Sequence, residues 1–75
     1  MKQQVTVRAV VNLPEGKESC HEMLVIMKKL VDAAADFEAK AERSDVRDAM
    51  KPVSDMLCEI MFEVEAARSL AYAQT

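Results

Sequence analysis

From Cys20 onward, apolar or small side chains recur at alternating steps of three and four residues: Cys20, Met23, Met27, Leu30, Ala34, Phe37 and Ala41. The pattern restarts as Val46, Met50, Val53, Leu57, Ile60, Val64, Ala67 and Ala71. That spacing keeps one side of an α-helix apolar over many turns, so the chain is constrained to helices that pack along a seam. Continuing the first repeat would bring Ser44 and Asp48 into the seam, and Ser44 and Asp45 both favour helix starts. The expectation is an antiparallel hairpin, with one helix over about 17–43 and the other over about 45–72.

Local signals refine this picture. Ser19 with Glu22 three residues on has the spacing of a capping box at the start of the first helix. Met23 to Met27 is apolar all round, which predicts enclosure on several sides. Pro52 falls inside the second repeat, where it removes a backbone donor, so the second helix either kinks there or restarts with Pro52 in its first turn. Residues 58–64 also alternate as a strand does, with Cys58, Ile60, Phe62 and Val64 on one side. The helical repeat is much longer, and its Met, Leu, Glu and Ala favour helix.

Ahead of the hairpin, Val5, Val7, Ala9 and Val11 alternate with Gln4, Thr6, Arg8 and Val10, which reads as a half-buried strand over about 3–12. Asn12 to Gly16, with Pro14 and the chain's single glycine, supplies a turn. A lone strand leaves its N–H and C=O groups unpaired, and the chain offers no second strand. The same strand of a second copy is the economical partner. The expected fold class is therefore α+β and mostly helical, a β-α-α single domain. It would dimerise through an intermolecular two-stranded ribbon on a four-helix core.

Size points the same way. A chain of 75 residues buries only about 60% of its unfolded surface, which makes an isolated monomer marginal and a homo-oligomer the simplest remedy. Cys20 and Cys58 are too few for a disulfide framework, and reduced thiols are expected. The longest uninterrupted apolar run is Met23 to Met27, far short of the roughly 20 residues of a membrane span. The N-terminus lacks the apolar core of a signal peptide. No membrane association and a cytoplasmic location are expected.

Few side chains can carry chemistry. Cys20, His21 and Glu22 are ligand types, but neighbours on a helix point about 100° apart and cannot share one ion. His21 is the only histidine, so no triad or Cys–His nucleophile can be assembled without Cys58 arriving from the other helix. No phosphate-binding loop or metal spacing exists, and the chain is too short to enclose easily a pocket of about 300 Å³. The reading is no enzyme, no cofactor and no metal.

Recognition surfaces remain. The net charge is −3 and polarised, with Lys2 and Arg8 unopposed at the start and Asp55, Glu59, Glu63 and Glu65 against Arg68 at the end. Asp55, Glu59 and Glu63 form a row of like charges one helical turn apart, which costs a few tenths of a kcal/mol per pair unless something answers it. Phe62 lies opposite the heptad seam beside this row. Together Asp55, Glu59, Phe62 and Glu63 are a candidate surface for a basic partner protein. The methionines beside the seams serve mainly as core filling.

On the strand's other side, Gln4, Thr6 and Arg8 would project together from a dimeric ribbon. With the strand-helix-helix order and the stretch Arg43-Ser44-Asp45-Val46-Arg47-Asp48-Ala49-Met50, the chain is similar to ribbon-helix-helix repressors. That resemblance implies a dimeric DNA-binding transcriptional regulator reading bases through Gln4, Thr6 and Arg8. The chain departs from the family in its longer helices, in lacking a glycine between them, and in its acidity.

The preferred expectation is a small non-enzymatic interaction protein, a regulator or inhibitor that binds a larger macromolecule. Its size suits an accessory protein of a phage or mobile element.

Overall fold

The computed structural model describes residues 3–7 and 9–73. Two helices, α1 over Lys17–Lys40 and α2 over Ser44–Ala73, fold back on each other through residues 41–43 as a helical hairpin. The helices pack only along their facing sides, so the molecule is long and thin, 52 × 24 × 13 Å. Its radius of gyration is 15.1 Å, against about 11 Å for a compact domain of this length.

The expected N-terminal strand is absent. The described residues contain no strand, and residues 3–7 and 9–14 are irregular and largely exposed. A strand exists by virtue of the ladder beside it, and this arm has none: its valines satisfy the alternation, but its backbone groups have no neighbouring edge. The α+β class is corrected to an all-helical hairpin. The intermolecular ribbon and the four-helix dimer core built upon it fall with the strand.

The helix ends follow local chemistry. Gly16 precedes α1 at φ 90°, ψ 147°, a conformation that favours glycine because it lacks a Cβ. Its carbonyl accepts the Cys20 N–H at 3.1 Å. Ser19 therefore lies inside the first turn, and no side chain caps this end. At the other end Ala41 turns extended, with its N–H bonded to the Glu38 carbonyl at 3.3 Å. The Val46 N–H then donates to Asp45 Oδ1 at 3.0 Å, and Arg43 Nε reaches the same oxygen at 3.2 Å. Helix α2 runs through Pro52 rather than starting there. The proline is exposed, so water can take the Asp48 carbonyl that its missing N–H leaves unbonded.

The seam uses only half of the apolar repeat. On α1 the covered positions are Lys17, Cys20, Leu24, Met27, Val31, Ala34 and Glu38, continued by Ala41 just past its end, with Met23 at the margin. On α2 they are Met50, Ser54, Leu57, Met61, Val64, Arg68 and Ala71, flanked by Met56, Cys58, Ile60 and Ala67. These keep the steps of three and four and share Cys20, Met27, Ala34 and Ala41, and Met50, Leu57, Val64 and Ala71, with the sequence repeat. The alternate members differ. Leu24, Val31 and Glu38 replace Met23, Leu30 and Phe37, while Leu30 and Phe37 stand 47% and 69% exposed.

The core is correspondingly thin. Cys20, Leu24, Met27 and Val64 are its buried side chains. Polar pairs pin the register around it: the Ser54 hydroxyl donates to Glu38 Oε2 at 3.1 Å, and Lys17 Nζ sits 5.5 Å from the Tyr72 ring centroid. A half-buried carboxylate is costly without a donor, so the Ser54–Glu38 bond selects one alignment of the helices.

Candidate functional site

The apolar positions left out of the seam fall on one side of the molecule. In an antiparallel pair, a two-fold axis normal to the plane of the helices relates one helix to the other. Equivalent positions beside the two seams therefore lie on the same broad face. On α1 these are Met23, Ile26, Leu30, Ala33 and Phe37. On α2 they are Val46, Ala49, Val53, Met56, Ile60, Ala67 and Leu70. The charges at such positions are Lys40 and Glu63. The opposite face carries most of the acids, including Asp32, Asp36, Asp48, Asp55 and Glu59.

The arm lies against α2 beside this face. Val7, Ala9, Val10, Val11 and Leu13 face Met56, Glu59, Ile60, Phe62 and Glu63 across an open cleft of about 790 Å³. The arm is tied to the hairpin near Pro14, whose carbonyl accepts the Cys20 thiol at 3.3 Å. The cleft is mostly apolar, with the carboxylates of Glu59 and Glu63 at its wall. Both are exposed, and the ion pairs among the described residues are Lys40–Asp36 at 2.9 Å and Arg43–Asp45 at 3.2 Å. No lysine of α1 answers Glu59 or Glu63.

Three of the four partner-binding candidates thus meet in one place. Glu59, Phe62 and Glu63 line the cleft, and Phe62 is 63% exposed. Asp55 is exposed one turn before Glu59 and does not line it. The arm's Val7, Val10, Val11 and Leu13, with Met56 and Ile60, complete the site. Sequence periodicity could not find them, because the encounter of an irregular arm with α2 leaves no local spacing.

The nucleic-acid candidates lose their geometry. Gln4 and Thr6 are exposed on an irregular arm instead of a paired ribbon, and Arg8 lies outside the described residues. Cys20 is buried and His21 exposed, as neighbours on a helix must diverge. Arg68 approaches His21 Nδ1 at 3.4 Å across the hairpin, a contact in which the guanidinium donates to the ring nitrogen. Cys20 and Cys58 are free thiols. Among the described residues no group of three or more His, Cys, Asp or Glu could hold a metal ion, and no helix is long and apolar enough to cross a membrane. No family profile, curated protein or solved structure matches this chain.

Proposed function

We propose that this is a non-enzymatic interaction protein, a regulator or inhibitor that acts in the cytoplasm by docking a segment of a larger protein at the α2 cleft. The observation that carries the reading is the pairing of exposed Phe62 with Glu59 and Glu63, one turn apart and without ion pairs, beside an apolar cleft of about 790 Å³. Unanswered like charges at that spacing favour a partner that brings a base. An aromatic beside an apolar floor suits an anchor of the kind that dominates interface energetics. The fitting segment is apolar and flanked by lysine or arginine.

The protein works as an oligomer. Its accessible surface is 6355 Å², against about 4,600 Å² for a compact monomer of this mass.

A proximity-labelling tag on the chain in its native cell identifies the partner, and titration with that purified partner tests the site. Glu59→Lys with Phe62→Ser, both lining the cleft and neither on the apolar face, should abolish binding while leaving the oligomer mass unchanged. Unaltered binding by that variant would overturn the assignment of the cleft.

A further inference from the structure

We infer that a second copy of this chain packs on the shared apolar face of the hairpin, centred on Ile26, Leu30 and Phe37 of α1 and Val46, Val53 and Leu70 of α2. This rests on the reading of the protein as an oligomer and names the surface responsible. No strand pairing is involved.

The chain as a whole, its exposed arm included, shows well over 1,000 Å² more surface than a compact monomer of its mass, while a standard interface needs about 800 Å² from each partner. The broad face, bounded by extents of 52 × 24 Å, is large enough to supply that area. All six named side chains are exposed in the lone hairpin, Val53 least at 41% and Phe37 most at 69%. They follow helical spacing, so a facing hairpin can interdigitate with them.

Charge favours a copy of the chain over another partner. In a two-fold dimer each face meets itself, so any net charge on the face repels its own image. Here Lys40 and Glu63 cancel. The opposite face is acidic and repels itself, and the Glu59–Glu63 cleft calls for a base that no described residue places there. The cleft lies toward the outer edge of α2, and the arm in it leaves Ile26, Leu30 and Phe37 uncovered. The cleft shares Met56, Ile60 and Glu63 with the margin of this face, and the six side chains named above lie outside it.

Sedimentation velocity over a concentration series tests the inference on the full chain, with Leu30→Glu, Val53→Glu and the opposite-face control Asp55→Lys. Both face positions are exposed in the monomer, so the seam and the helical circular dichroism should survive substitution. The native chain and the control should show twice the 8.4 kDa chain mass. Each glutamate variant should weaken association at least about a hundredfold, because both copies carry the buried charge. A native dimer that both variants leave intact would overturn the assignment of this face while sparing the oligomer reading. A native monomer at every concentration would overturn both. A native monomer that begins to associate only when residues 1–13 are removed would show that the arm, and not a second copy, covers the face.

Discussion

Leu24 and Leu30 are the same residue type on the same helix, six positions apart, yet the structure gives them different fates. Leu24 is 2% exposed in the seam, and Leu30 is 47% exposed on the open face. Leu24→Ala removes three buried carbons and leaves a hole that two straight helices cannot easily close, a change that costs about 3 kcal/mol. Leu30→Ala loses roughly half of the corresponding transfer term with no cavity, and alanine's better helix propensity offsets part of that. Its cost in a monomer is about 1 kcal/mol or less. Against the roughly 4 to 11 kcal/mol expected of a chain this long, the first loss is large. Urea unfolding followed by far-ultraviolet circular dichroism, at a concentration low enough for the monomer, measures both. Raising the concentration should then increase the cost of Leu30→Ala and leave that of Leu24→Ala nearly unchanged. Equal costs at low concentration would refute the seam and return it to Met23, Leu30 and Phe37.

Further predictions test the joints of the hairpin by the same unfolding assay. Gly16→Ala should cost about 1 to 3 kcal/mol from backbone strain alone, since φ is +90° and no atom lies within 4 Å of the added Cβ. Pro52→Ala should stabilise by up to about 3 kcal/mol, because it restores a backbone bond inside α2 on an exposed side. Ser54→Ala should destabilise by about 1 to 2 kcal/mol by leaving half-buried Glu38 without its donor, and Glu38→Leu in that background should recover the loss.

The helices and their reversal at Ser44 could be read from the sequence because periodicity and turn chemistry agree there. The seam could be read only in part. Cys20, Met27, Ala34, Leu57, Val64 and Ala71 belong to every plausible apolar stripe, so they were unambiguous. The alternate positions were not, because Leu24 and Leu30 are equally apolar, and hydrophobicity prefers Phe37 to Glu38. The structure chooses Glu38, whose carboxylate is served by Ser54 from the other helix, a pairing 16 residues away in sequence. The apolar arc is therefore wider than one neighbour can cover, as the all-apolar stretch Met23 to Met27 already indicated. The arm misled for a different reason. Alternation reports which side chains could share a face, but pairing requires an adjacent edge, and none exists among the described residues. The acidic row and Phe62 were visible as types and spacing, whereas the cleft they line depends on where the arm comes to rest.

The central claim is that the apolar repeat divides, one part closing the hairpin and the other facing a second copy. Isotope-filtered nuclear Overhauser spectroscopy on an equal mixture of labelled and unlabelled chains tests it most directly, by reporting which methyl groups touch another copy. Methyl groups of Ile26, Leu30, Val46 and Val53 should show contacts between copies, while those of Leu24 and Val64 should show contacts within one chain only. Contacts between copies confined to Leu24 and Val64, or none at all at high protein concentration, would contradict the account.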